Sequence, residues 1–384
     1  MKRNIRTIGI IMNGVTGRMG RNQHLLRSIK AIRDDGGIVQ GDEILMPEPL
    51  LLGRNLGKLE EIARETGFEN ISTDLDECLR DERFQVYFDS LVTGLRAENI
   101  RKAAHAGKHV YCEKPVAPST ADAMDLYRTC REAGVRQGVV MDKLWIPGII
   151  KLNKLVKEGF FGRILSVRGN FGYWVFDGRT VPAQRPSWNY KKESGGGIIL
   201  DMFPHWRYVL EHLFGRVKSV SCIASTDIPE RIDEDGKAYR VTAEDAVYAQ
   251  FELEGDIPAQ FNSSWTTRVR RDDLLVLQVD GTEGSAVAGL RDCYVQSPEK
   301  TPRPVWNPDV PQPIDFYQDW EQVFVDERVP NAFRAQWELF LKNVAFGEPF
   351  PWDLREGAKG VQLAEAGYRS WKERRWIDLE ELEP

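Results

Sequence analysis

Three glycines, Gly14, Gly17 and Gly20, directly follow the apolar run Thr7–Met12, and apolar residues at helical spacing (Met19, Leu25, Ile29, Ile32) come next, ending at Gly36-Gly37. Glycine is required where a chain turns sharply and where backbone must approach a pyrophosphate, whose charge then rests on the free amides of the following helix. A bare G-x-x-G-x-x-G run is only a tight turn. Placed between a strand and a helix it reads as a dinucleotide fingerprint. The alternation continues through the short apolar runs Leu50–Leu52, Val86–Phe88, His109–Cys112 and Gly138–Met141, with Ser119 or Thr120 capping a helix that carries Ala123, Leu126 and Cys130. Residues 1–142 therefore read as α/β, a doubly wound parallel sheet covered by helices.

The chain has 384 residues, more than the about 250–300 over which a single core usually grows, so residues 143–384 are expected to form a second domain. A helix opened by Pro147 and running through Val156 leads to the strand-like run "ILSVRGNFGYWVF", 164–176. After a polar loop and "SGGGIILDMFPHWRYVLEHLFG" come four runs typical of long antiparallel strands: "KSVSCIAS", "AVYAQFEL", "AQFNSSWTT" and "LLVLQVDG". Residues 300–330 read as Pro-rich and irregular, and helical spacing returns in 331–344 and 356–373.

Several classes of function are disfavoured. A formal net charge of −6 opposes a nucleic-acid surface, and the basic run Arg268, Arg270, Arg271 is followed at once by Asp272 and Asp273. The five cysteines form no CxxC pair or Cys/His cluster, so neither a disulfide framework nor a metal is expected, and a reducing, cytoplasmic setting fits. No apolar run approaches the about 18 residues of a membrane helix, and Ile8–Met12 is shorter than a signal-peptide core.

Two places carry unexplained charge. Glu113 and Lys114 end an apolar strand against Pro115, where charge is costly unless something uses it. Asp201 and His205 stand four apart behind Gly195–Gly197, a spacing that puts both on one helix face, where a carboxylate can hold an imidazole's tautomer and raise its basicity. The bland alternative is a capping Asp and an ordinary His. At the end of the second strand, where an NAD enzyme usually shows an acid for the ribose 2′-hydroxyl, stand Gly53 and Arg54. The missing carboxylate and the adjacent guanidinium lean toward NADP, although Gly53 lies further beyond Gly20 than the usual about 20 residues.

Taken together, the Gly14/Gly17/Gly20 loop, "AGKHVYCEKPVA" (106–117), Pro147 with "LVKEGFFGRILSVRG" (155–169), "RPSW" (185–188), Gly195–Gly197 with Asp201 and His205, and "GTEGS" (281–285) resemble the glucose-fructose oxidoreductase / inositol dehydrogenase / rhizopine catabolism (Gfo/Idh/MocA) family. The resemblance implies an N-terminal Rossmann domain and a C-terminal α/β domain with a large open antiparallel sheet, one face of which serves dimer or tetramer contacts. It also implies that Lys114 sits beside the nicotinamide, its charge offset by Glu113 and substrate oxygen. Lys114, Asp201 and His205 then act on a substrate hydroxyl.

The expected activity is NAD(P)-dependent hydride transfer to or from a secondary hydroxyl of a sugar, glycoside or cyclitol, with His205 or Lys114 as base and Asp201 orienting them. Cofactor contacts are expected from Gly14, Thr16, Gly17, Arg18, Met19, Gly53, Arg54, Thr93, Glu113 and Lys114, and substrate contacts from Lys143, Tyr173, Arg185, Trp188 and His205. Tyr173, Trp174 and Trp188 could equally be packing residues, and Lys143, Arg185 and Arg207 surface cations. A redox-neutral glycosidase would use the same residues; a cofactor-sensing regulator would not need them. The family's "TPN" is Leu91-Val92-Thr93 here, Phe203 and Pro204 precede His205, and Tyr208 replaces an acid, which suggests substrate tuning. Pro204 should either kink the helix or delay its start to near Asp201.

Overall fold

The apolar run before the glycines forms β1 (Asn4–Asn13), whose last six residues are buried. A computed structural model of the chain, describing residues 3–325 and 331–384, places β1 inside a seven-stranded sheet. Its other strands are β2 (Ile38–Gln40), β3 (Glu43–Leu52), β4 (Ile71–Ser72), β5 (Phe84–Asp89), β6 (His109–Cys112) and β7 (Gln137–Val139). They lie in the order β2-β3-β1-β5-β6-β7 with β4 beside β3, and every pairing is parallel except β2–β3. The strand order reverses between β1 and β5, so the crevice at their carboxyl ends is the topological switch point where ligands bind in such sheets. The added antiparallel β2 and the long β3 account for the wide gap before Gly53. The register Asn13↔Leu52 still brings Gly53 level with Gly14.

Ser119, not Thr120, caps the helix Thr120–Glu132, accepting from the Asp122 amide. The helix Ala332–Phe346, from the other end of the chain, packs on this sheet and shares a core with Ile10, Met12 and Leu51. Its Trp337 is fully buried among His24, Phe88, Tyr111 and Phe340.

The remaining strands are β8 (Ile164–Phe171), β9 (Val217–Ser225), β10 (Glu230–Ile232), β11 (Ala238–Arg240), β12 (Ala246–Leu253), β13 (Ile257–Ser264), β14 (Leu275–Gly281), β15 (Ser285–Ala288), β16 (Cys293–Gln296), β17 (Glu321–Gln322) and β18 (Ile377–Asp378). β10 and β11 form a separate hairpin, and the other nine make one sheet in the order β17-β16-β15-β14-β8-β13-β12-β9-β18. The sheet is mixed, not antiparallel as expected, because β8 and β13 pair in parallel. The helix Ile198–Phe214 carries the chain from β8 across to β9; β12 then runs antiparallel to β9 and β13 antiparallel to β12, which returns β13 alongside β8 in the same direction.

One further expectation changes and one is met. The strand-like run 164–176 stops at Phe171, where the chain turns at Gly172 (φ +109°). The helix holding Asp201 begins at Ile198, with Asp201 in its first turn as one of the two expected outcomes had it, and continues through Pro204, which Gly360 of the crossing helix Leu354–Glu373 meets closely. Residues 301–320 are irregular, with a short helical turn at Pro298–Lys300 before them; residues 326–330 of the irregular segment lie outside the described residues.

Candidate active site

Asp201 and His205 face the Rossmann crevice because the start of their helix is held from a distance. Glu244, buried beside β12, accepts the Ile199 amide at 3.1 Å and the Tyr368 hydroxyl at 2.8 Å, occupying the positive end of the helix. Gly197 has φ +124°, and a Cβ there would lie 2.5 Å from the Glu244 carboxylate, so glycine is the residue that lets this carboxylate reach the helix.

On the opposite wall, β6 delivers Glu113 and Lys114. A buried network fixes that turn: Asn13 donates to Tyr87 Oη at 2.9 Å, Tyr87 donates to Asp89 at 2.7 Å, and Arg96 joins Asp89 to the Leu91 and Pro115 carbonyls. The Lys114–Pro115 peptide is cis.

Lys114 Nζ reaches across the crevice to Asp201, donating to Oδ1 at 2.8 Å and to the main-chain oxygen at 3.0 Å. Arg185 takes the other carboxylate oxygen, Oδ2, at 2.7 Å, with its guanidinium between the rings of Phe176 and Trp265. Burial works against the Asp201 charge, but Arg185 and Lys114 hold its carboxyl far below the usual range. Asp201 is thus bonded to two cations and not to the imidazole, which corrects its expected role in orienting His205.

His205 Nδ1 lies 2.7 Å from the hydroxyl of Tyr208, which in turn lies 3.2 Å from Asp142 Oδ1 and accepts from the Lys143 amide at 3.1 Å. Tyr208, expected to tune the substrate, is thus bonded to the imidazole. Burial, with the charges of Lys114 and Lys143, pushes the His205 pKa well below the ordinary imidazole range, so the ring is neutral at pH 7 and can take a proton.

Glu113 also has an unexpected partner. Its Oε1 lies 2.9 Å from His24 Nε2 and its Oε2 accepts the Lys114 amide at 3.1 Å, while Trp337 donates its indole N–H to His24 Nδ1 at 3.0 Å. Burial opposes the Glu113 charge, but His24 and then Lys114 keep the carboxyl below its usual value. The expectation that Glu113 offsets Lys114 is thus only part of the geometry. Asp201 neutralises the ammonium directly, and Glu113 is pinned by a histidine from the first helix.

The other expected substrate residues fall unevenly. Lys143 donates to Asp142 at 2.7 Å near His205, and Tyr173 stacks on Phe176 beneath Arg185. Trp188 stays 44% exposed on the short helical turn Ser187–Tyr190. Arg207 is buried against Glu211 and Gln362, which removes it as a substrate cation. Tyr208 was detectable three residues after His205 on one helix face; His24, Asp142, Arg96 and Trp337 carry no local signal of a role.

The crevice fits a dinucleotide. The helical segment that opens at Arg18 and runs through Asp34, π-helical over Gly20–Lys30, has no acid in its first turn, so its positive end is open to phosphate. Gly20 packs so close that a Cβ would meet Gly14 O at 2.4 Å and Ser90 Oγ at 2.6 Å. Thr16, Gly17 and Arg18 are exposed at the turn and Met19 is half-buried at the helix entry. Gly53 lies beside the Thr16 methyl, Arg54 is exposed, and Thr93 opens the helix Thr93–His105 next to exposed Val92 and Leu95.

A Rossmann crevice facing a helix that bears a Lys-paired aspartate and a neutral histidine defines a two-domain nicotinamide oxidoreductase. Comparison with known proteins places it more closely. The oxidoreductase family described as having an NAD-binding Rossmann fold matches residues 10–141, and the GFO/IDH/MocA C-terminal domain matches residues 149–287. The chain belongs to the Gfo/Idh/MocA family. It is 51% identical over 380 residues to D-xylose dehydrogenase of Paenarthrobacter nicotinovorans, covering 98% of both chains. It is 29% identical to levoglucosan dehydrogenase of Pseudarthrobacter phenanthrenivorans over 59% of this chain and 61% of that one. A solved levoglucosan dehydrogenase in complex with NADH and levoglucosan superimposes with a TM-score of 0.80 at 23% identity, covering 98% of this chain and 100% of that one, a likeness of fold.

Proposed function

We propose that this chain is an NAD(P)-dependent sugar dehydrogenase whose substrate is a pentose of the D-xylose type. The observation that carries the reading is the convergence of Lys114, Asp201 and His205 at the carboxyl end of β6, in a chain half identical to a D-xylose dehydrogenase over its length. The bound nicotinamide supplies hydride acceptance at its ring. His205, with Nδ1 occupied by Tyr208, presents Nε2 to the hydroxyl and takes its proton as the C–H hydrogen leaves as hydride. Lys114, held by Asp201, fixes the same oxygen with its positive charge. Arg185, clasped by Phe176 and Trp265, closes the substrate side. The test is a screen of pentoses, hexoses, cyclitols and glycosides followed by nicotinamide absorbance and product mass. D-xylose is expected to give the highest kcat/KM, and no turnover of any pentose would overturn the reading.

NADP is the favoured cofactor because Gly53, level with Gly14, offers no carboxylate and Arg54 is free to meet a 2′-phosphate. Arg54→Ala is expected to weaken NADPH about 10-fold and NADH little, as a lost charged hydrogen bond contributes about 1.5–3 kcal/mol. Isothermal titration of both cofactors checks this, and an unchanged preference would refute the role of Arg54.

The nine-stranded sheet turns Ile223 and Tyr248 outward, exposed beside Gln250, Gln260 and Asn170, with the Arg168–Asp280 pair on the same face. A dimer or tetramer through this face is expected to appear in sedimentation velocity and to dissociate in Tyr248→Lys; a concentration-independent monomer would dismiss it. The five free cysteines suit a reducing cytoplasm, and no helix among the described residues is long and apolar enough to cross a membrane.

A further inference from the structure

The hydroxyl of Tyr208 has three neighbours and one proton. The Lys143 amide, at 3.1 Å, can only donate to it. Asp142 can only accept: burial works against its charge, but the Lys143 ammonium beside it holds its carboxyl below the usual range. The third neighbour, His205 Nδ1 at 2.7 Å, can do either, depending on its tautomer.

If Tyr208 gives its proton to Asp142 Oδ1, then Nδ1 must carry a hydrogen and donate it to the phenol oxygen, and all three contacts are made. If Tyr208 gives its proton to Nδ1, phenol and carboxylate oxygens face each other at 3.2 Å with no hydrogen between them. In a buried site that unmade bond is expensive. Asp142 Oδ1 also lies 3.7 Å from Nδ1 itself, which attracts a hydrogen on that nitrogen.

We propose that Asp142, acting through the Tyr208 hydroxyl, holds His205 as its Nδ1–H tautomer and leaves the lone pair on Nε2. Tyr208 and Asp142 are thereby positioning residues for the proposed base, and the inference rests on that reading of His205. A direct carboxylate–imidazole bond is replaced by one with a phenol interposed. The other histidine beside the crevice supplies a reference. His24 Nδ1 receives the indole N–H of Trp337, a donor only, so His24 carries its hydrogen on Nε2 and gives it to Glu113. The two buried histidines are held in opposite tautomers.

Nitrogen-15 spectra of histidine-labelled protein test this directly, since the chain has five histidines and His205→Gln and His24→Gln assign the two signals. The expected wild-type result is a protonated Nδ1 and bare Nε2 for His205, and the reverse for His24. Asp142→Asn is expected to switch His205. The Lys143 ammonium, 2.7 Å from Oδ2, keeps the amide oxygen and turns the NH2 toward Tyr208, whose proton must then go to Nδ1. The hydrogen of His205 moves to Nε2, and kcat should fall about 100-fold or more with a smaller change in KM, since a base of the wrong tautomer cannot accept. Tyr208→Phe, which removes the relay but imposes no tautomer, should lower kcat about 10-fold. A wild-type His205 protonated on Nε2 would overturn the inference, as would Asp142→Asn with unaltered spectra and kcat. Full activity in His205→Ala would instead remove the base assignment and leave the tautomer to the spectra.

Discussion

Lys114→Ala and His205→Ala are each expected to lower kcat by about 100-fold or more, the range of a lost general base or of its electrostatic partner, while cofactor affinity changes much less. In the proposed reaction both side chains act on one hydroxyl, so their losses should not add; the double variant should fall little below the worse single one. The pH dependence gives a second check. His205 is faced by Lys114, Lys143, Asp142, Asp201 and Tyr208, and burial with the two lysines outweighs the acids, so the ring stays neutral until pH falls well below the ordinary imidazole value. The acid limb of kcat/KM attributable to His205 should accordingly lie well below that value. Folded His205→Ala with full activity would return Asp201 and His205 to plain packing. Wild-type turnover with product formed but no net nicotinamide reduction would turn the same residues toward a redox-neutral reaction.

Trp337→Ala is expected to be the most damaging single change to stability, about 3–5 kcal/mol by urea unfolding. The indole is fully buried against His24, Phe88, Tyr111 and Phe340, and its removal also leaves His24 Nδ1 without its donor. A loss below about 1 kcal/mol would mean that the helix Ala332–Phe346 is held elsewhere. Trp337→Phe should recover most of the packing and not the hydrogen bond, so the difference between the two variants isolates what the indole N–H contributes.

The parts of this molecule that were legible in the sequence are those encoded by local pattern. Strand, glycine turn and helix at 7–32, the apolar strand ending in Glu113-Lys114-Pro115, and the i,i+4 pair Asp201 and His205 all carry their meaning within a few residues. What was not legible depends on distance in the chain. Nothing near His24 announces that its partners are Glu113 and Trp337, and nothing near Asp201 says that its two oxygens go to Lys114 and Arg185 and leave the imidazole to Tyr208. The direction of β13 relative to β8 was hidden for the same reason, because it follows from how many strands intervene. Even the remoteness of Gly53 became clear only when β2 and the length of β3 supplied the missing residues.

The contact between Trp337 and His24 joins residues 313 apart. During synthesis the amino-terminal half leaves the ribosome first, at about 5–20 residues per second, yet the aromatic wall formed by Phe88 and Tyr111 has no cover until the segment Ala332–Phe346 has emerged. The nucleotide-binding part consequently completes its core with a helix from the far end of the chain. Its apolar flank is covered only once the helix Ala332–Phe346 is in place. The histidine that pins Glu113 acquires its final partner among the last contacts to close.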